Sequence, residues 1–219
     1  MNTAIEKYYK VVRDGLVVQH MAPGHADQLA ILQKVVFPTL SPDEWIRAEH
    51  YLHHLKLFPE GQFVVTDGDR VIGMTTTMRS NFDFTNYHHT FKETIAGGWL
   101  TNHDPQGEWL YGLDIGVHPA YRGLGLARVL YRARQDVARQ LGLKGQVTVG
   151  MMSGYGKVSG QMTGEEYYKE LLEGRRTDPT LTPQMKIGFE PIALIPKYVN
   201  DPGCGDYGIL IKLDINKEI

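Results

Sequence analysis

The stretch from Glu108 to Gly145, EWLYGLDIGVHPAYRGLGLARVLYRARQDVARQLGLKG, constrains the fold more than any other part of the chain. Its apolar run from Trp109 to Val117 predicts a mostly buried strand ending at His118-Pro119, because Pro119 cannot donate to a sheet ladder. A short loop with glycines at 123 and 125 follows, and then the period changes. Leu126, Val129, Leu130, Ala133, Val137 and Leu141 recur at three- and four-residue spacing, which predicts an amphipathic helix of about four turns. Arg128, Arg132, Arg134 and Arg139 fall mainly off that stripe, and Gly142 or Gly145 supplies the stop.

A strand, a glycine loop and a helix N-terminus together make an anion site. The first helical turn leaves N–H groups without internal partners, and the helix dipole places about half a positive charge there. Glycines let the backbone approach a phosphate closely. Two common phosphate motifs are excluded by the letters. No GxxxxGK[ST] occurs, and a GxGxxG starting at Gly123 and Gly125 lacks its third glycine, because Arg128 stands there.

Arg122-Gly123-Leu124-Gly125-Leu126-Ala127, preceded by Val117-His118-Pro119-Ala120-Tyr121, resembles the acetyl-CoA signature of the GNAT superfamily of N-acetyltransferases. That signature reads [QR]-x-x-G-x-[GA] after a strand ending V-x-P-x-[YF]. The resemblance implies a mixed, mainly antiparallel α/β (α+β) sheet flanked by helices. It implies acetyl-CoA as cosubstrate and no metal. The pyrophosphate would lie on Arg122 and the amides of Gly123, Leu124, Gly125, Leu126, Ala127 and Arg128. The pantetheine arm would pair with the strand edge at Ile115, Gly116 and Val117, with a departure from regular pairing near Gly116. The reaction implied is direct attack of a primary amine, on a small molecule or a peptide, in a ternary complex.

The rest of the chain suits that plan as one domain over residues 1–219, with insertions at about 79–107 and 153–178. Residues 1–14 read as a loose arm and Leu16–Met21 as the first strand. A short helix with Leu29, Leu32, Val35 and Val36 stops before Pro38. Ser41-Pro42-Asp43-Glu44 predicts a helix start by its capping-box spacing, with Trp45, Ala48, Leu52 and Leu55 facing inward. Asp67-Gly68-Asp69 between β-branched runs predicts a hairpin. Residues 91–95 fit either a short strand or a short helix. Gln146–Met151 is the next strand, Thr163-Gly164-Glu165-Glu166 a second capping box with Tyr167, Leu171 and Leu172 behind it, and Asp178-Pro179 the start of a helix ended by Gly188-Phe189. Glu190–Ile195 and Tyr207–Leu213 close the sheet.

A net charge of −2 gives no general reason to expect nucleic acid or an anionic membrane as partner, and no 18-residue apolar run is present. One cysteine, Cys204, fits a reducing, cytoplasmic setting. A homodimer is compatible with all of this.

Acyl transfer from a thioester to an amine requires a neutral nucleophile, a polarised carbonyl and a proton for the departing thiolate. Glu108 and Asp114 are the candidate bases, because an acid in an apolar strand needs a partner or a cleft. Tyr111 can orient a water. The GNAT general acid is a tyrosine in the last helix, four residues before the Gly of Gly-Phe. Here Gln184 stands there and cannot protonate a thiolate, so that role does not carry over. Tyr155 and Tyr198, in loops near the expected cleft, are the substitutes, with Tyr155 preferred. His50 and His54 have helical i, i+4 spacing but no third ligand, which predicts structural roles. His103 precedes the central strand and is a candidate for the acceptor side. The missing tyrosine also leaves open an acyl-CoA-binding module without transfer activity.

Overall fold

The computed structural model describes residues 7–219. Fourteen elements run in the order β1 (Tyr9–Arg13), β2 (Leu16–His20), α1 (Ala26–Val36), α2 (Ala48–Leu57), β3 (Phe63–Asp67), β4 (Arg70–Ser80), α3 (Phe91–Thr94), β5 (Trp109–Val117), α4 (Leu126–Gln140), β6 (Gly145–Met151), α5 (Gly164–Leu172), α6 (Leu181–Ile187), β7 (Glu190–Ile195) and β8 (Gly208–Asp214). The strands form one eight-stranded sheet in the order β1-β2-β3-β4-β5-β6-β8-β7. Only β5 and β6 are parallel, and α4 makes the crossover between them. The sheet is therefore mixed and mainly antiparallel, as expected.

Two of the predicted starts differ. The loose arm expected over residues 1–14 is strand β1 from Tyr9 onward, paired with β2 through an Asp14-Gly15 turn in which both residues have positive φ. Asp-Gly is a strong hairpin signal that applies here as it does at Asp67-Gly68. The start of the arm, up to residue 6, lies outside the described residues. At Ser41 the box does not close. Ser41 Oγ donates to the Asp43 carboxylate, and Glu44 Oε2 accepts from the Asn200 amide at 3.0 Å. Only a single turn forms at Pro42–Glu44, Trp45 is extended, and α2 begins at Ala48. Its inward face is consequently His50, Tyr51 and His54, while Leu52 turns to solvent. At Thr163 the box does close, in both directions, though Leu172 at the end of α5 is exposed.

Helix α4 has the predicted length, and its buried face takes in Tyr131, Arg134, Gln135 and Ala138 beside the predicted stripe. Arg134 is fully buried, although its spacing placed it with the solvent-facing arginines. Its guanidinium lies against β5, where Nη2 donates to the carbonyls of Asp114 and Thr76. Gly112 makes the room, since a Cβ there would collide with Arg134 Nη1. Buried backbone carbonyls thus take the place of water for this cation.

Candidate active site

The site is built where β5 parts from β6. Leu110, Tyr111 and Gly112 pair with Gln146, Val147 and Thr148, and then the ladder stops. Beyond it β6 pairs only with β8, through Val149, Gly150 and Met151. Strand β5 continues from Leu113 to Val117 bound to β4 alone. Its β6-facing edge carries N–H and C=O groups with no strand partner, at the mouth of a fork.

A bulge causes the parting. Thr76 pairs with Asp114 and Thr77 with Gly112, so Leu113 is the extra residue. A bulge bends its strand and adds twist. The irregularity expected near Gly116 is at Leu113 instead. It also resets which side each residue faces. Gly112 faces Arg134 on α4, whereas Asp114, two residues on, faces Tyr51 and Thr76 beside α1 and α2. In an unbulged strand these two would share a side. Gly116 lets α1 approach, since a Cβ there would sit 2.7 Å from Val36 Cγ2.

The fork ends at the glycine loop. Gly123 and Gly125 have φ of 79° and 78°, left-handed values that glycine adopts without strain, and a Cβ on either would meet only open space. Among the described residues, the amides from Gly123 to Arg128 donate to no protein oxygen. They form the free N-terminus of a fifteen-residue helix. The Leu126 side chain is in the core, so only its amide faces the loop. Arg122 folds back, and its Nε donates to Val117 O at 3.3 Å, joining the loop to the end of β5. The ten residues expected to meet the cosubstrate, from Ile115 to Val117 and Arg122 to Arg128, therefore form one continuous edge and cradle.

The three residues expected to move protons, Asp114 and Glu108 as bases and Tyr155 as acid, do not converge. Asp114 is enclosed. Its Oδ1 accepts from the Thr76 amide at 2.7 Å and the Thr76 hydroxyl at 2.8 Å, and burial raises its pKa. Glu108 lies at the opposite end of β5 from the fork, exposed and paired with Lys144 at 2.5 Å. Tyr155 is buried against Tyr167 and Tyr207, and its hydroxyl donates to Met162 O at 3.2 Å. His103 accepts from the Arg79 amide and stacks on Phe58, which fastens the insertion rather than exposing a base.

The sequence names Tyr111 and Tyr198 as separate candidates but misses the histidine that meets Tyr111. On the side of the sheet opposite α4, Tyr111 reaches His89, whose Nε2 is 2.8 Å from the Tyr111 oxygen. His89 Nδ1 lies 2.7 Å from Tyr87 O. A carbonyl can only accept, so Nδ1 carries the proton and Nε2 accepts from the Tyr111 hydroxyl. Burial lowers the His89 pKa and raises those of Tyr111 and Tyr198, whose hydroxyls are neighbours beside Thr94. Phe82, Phe84 and Trp109 pack around this group. His88-His89 is visible in the sequence as a pair, but only the fold brings one member to Tyr111.

Residues 27–151 match the acetyltransferase (GNAT) family model. A probable hydrolase of Bacillus subtilis (strain 168), YhcX, is 36% identical over 186 residues, covering 85% of this chain. The chain spans only 36% of that protein's length. An uncharacterized N-acetyltransferase of the same organism, YkwB, is 29% identical over 200 residues, 91% of this chain and 88% of YkwB. Among solved structures, the GNAT-like decarboxylase GphF in complex with isobutyryl-CoA superposes with a TM-score of 0.73 at 21% identity, over 91% of this chain and 99% of that one. With its fork, its glycine cradle and a family match over more than half its length, the chain belongs to the GNAT acetyltransferase family.

Proposed function

We propose that the chain transfers an acetyl group from acetyl-CoA to a primary amine of a small molecule or peptide, by direct attack in a ternary complex. The observation that carries this reading is the continuity of the unpaired β5 edge with the amide cradle of Gly123 to Arg128. A ligand with a phosphate at one end and an extended amide-bearing arm matches both parts. The cradle takes the pyrophosphate and the strand edge pairs with the arm. The carbonyl of the thioester then lies at the fork, where unpaired N–H groups of β5 can stabilise a tetrahedral oxyanion.

The acceptor enters from the side of His89. An attacking amine gives its proton to the Tyr111 oxygen while the Tyr111 proton moves to His89 Nε2, so the base is a neutral histidine acting through a phenol. Burial that lowers the His89 pKa keeps it neutral at physiological pH. The aromatic wall of Phe82, Phe84 and Trp109 favours an acceptor with apolar surface.

A second reading, an acyl-CoA-binding module without transfer, is favoured by one observation, glutamine at position 184. Thermal-shift titration with acetyl-CoA, isobutyryl-CoA and CoA, beside thiol release across an amine panel, separates the two. Ligand at a hundredfold its Kd stabilises a fold by about 2.7 kcal/mol. Stabilisation with thiol release on an amine supports transfer. Stabilisation with no release on any acceptor selects the binding module. No shift with millimolar CoA refutes both.

A further inference from the structure

Among the described residues, Gln184 Oε1, on the α4 and α6 side of the fork, is a buried side-chain atom with no partner. Buried polar atoms are almost always satisfied in folded proteins, so an unpartnered one beside an opening calls for a functional explanation. Gln184, on α6, donates from Nε2 to the Tyr131 hydroxyl, on α4, at 2.7 Å. An amide NH2 only donates, so the Tyr131 oxygen is the acceptor and its own proton is free for another partner. The described residues provide none. The ring is fixed by Phe189, edge-on with centroids 5.0 Å apart, and by the Arg134 guanidinium 5.3 Å from its centroid.

The position of this pair matters as much as its bonds. Gln184 rests on Gly150, where a Cβ would collide with Gln184 Oε1. Gly150 belongs to the half of β6 that has already left β5. The Tyr131 hydroxyl therefore sits on the helix side of the opening, five residues along α4 from the first residue of the helix, Leu126.

Resting on the acyl-CoA reading above, we propose that Tyr131, aimed by Gln184, is the hydrogen-bond and proton donor to the sulfur that leaves acyl-CoA. When the tetrahedral intermediate collapses, the C–S bond breaks and its electron pair goes to sulfur. Sulfur takes the Tyr131 proton, solvent reprotonates the phenolate, and His89 returns the amine's proton to solvent, so one N–H is exchanged for one S–H. Burial raises the Tyr131 pKa, which keeps it a donor at neutral pH, while Arg134 beside the ring tempers that rise and steadies the transient phenolate. Tyr131 is the catalytic residue here and Gln184 a positioning residue. The donor has crossed the cleft from α6 to α4, and the amide standing at the former position holds it.

The test compares binding of CoA with desulfo-CoA by calorimetry at about pH 8.5, near the thiol pKa of about 8.5. Wild-type protein is expected to prefer CoA by about tenfold, the value of a hydrogen bond to a charged acceptor. Tyr131→Phe should bind both alike, and Gln184→Leu, which leaves the phenol in place but unaimed, should lose most of the preference. In single turnovers with saturating acetyl-CoA and hydroxylamine as acceptor, Tyr131→Phe should slow thiol release by about 10²-fold or more. An undiminished preference for CoA in a folded Tyr131→Phe protein, or turnover within about threefold of wild type, overturns the donor assignment. If Tyr131→Phe does not fold, an unchanged preference in Gln184→Leu does the same. Failure of wild type to bind either compound refutes instead the acyl-CoA reading on which the assignment stands.

Discussion

Acidification should loosen the attachment between α2 and the segment before β5, and His54 sets the size of the effect. His54 is fully buried, and its Nε2 is 2.7 Å from Gly98 O. Because that carbonyl accepts, Nε2 carries the proton and Nδ1 is an acceptor with no partner among the described residues. A second proton on Nδ1 would be a buried charge without a bond, and burial accordingly pulls the pKa down to about 4. In the unfolded chain it returns to about 6.5. Unfolding therefore takes up a proton between those values, and stability falls as pH drops through the window. At about pH 5 the expected loss from this one group is about 2 kcal/mol, and below about pH 4 it approaches about 3 kcal/mol. Urea unfolding of wild type and His54→Gln at about pH 7.5 and about pH 5 isolates it. His20, His25, His50, His89 and His103 are shifted in the same direction and cancel in the comparison. Wild type should lose about 2 kcal/mol more than the variant over this interval. Equal losses would refute the argument that the unpartnered Nδ1 holds the charge out.

Gly125→Ala should cost about 1–2 kcal/mol of stability from its left-handed φ alone, because a Cβ there meets nothing, and should weaken CoA binding in calorimetry by far more than that cost explains. Unchanged CoA affinity would make the loop a structural turn only. Gly112→Ala should push Arg134 off the carbonyls of the bulge, at about 1–3 kcal/mol in denaturant unfolding, and slow acyl transfer with it. Wild type should lose acyl transfer as pH falls through the depressed His89 pKa, and His89→Gln should abolish that decline, with a loss on the order of 10²-fold at neutral pH. A pH profile identical to that of wild type would remove His89 from the chemistry.

The sequence by itself determined the parts of this protein that are local. The strand from Trp109 to Val117, the glycine loop and α4 follow from short-range period, from proline and from glycine, and each stands where the letters place it. The amide cradle was legible for the same reason, since it needs only free helix amides and left-handed glycines close together in the chain. What crosses between elements was decided by the tertiary structure. The bulge at Leu113 has no distinctive residue type, and it alone turns Asp114 away from the side that Gly112 faces. Arg134 reads as a surface residue until the carbonyls of Asp114 and Thr76 are brought under it. His89 meets Tyr111 across 22 residues and Gln184 meets Tyr131 across 53. Periodicity reports which way a side chain points from its own helix or strand, but a proton donor or acceptor is defined by what another element places within about 3 Å of it. That distance is set only when the sheet has formed and the helices have packed on it.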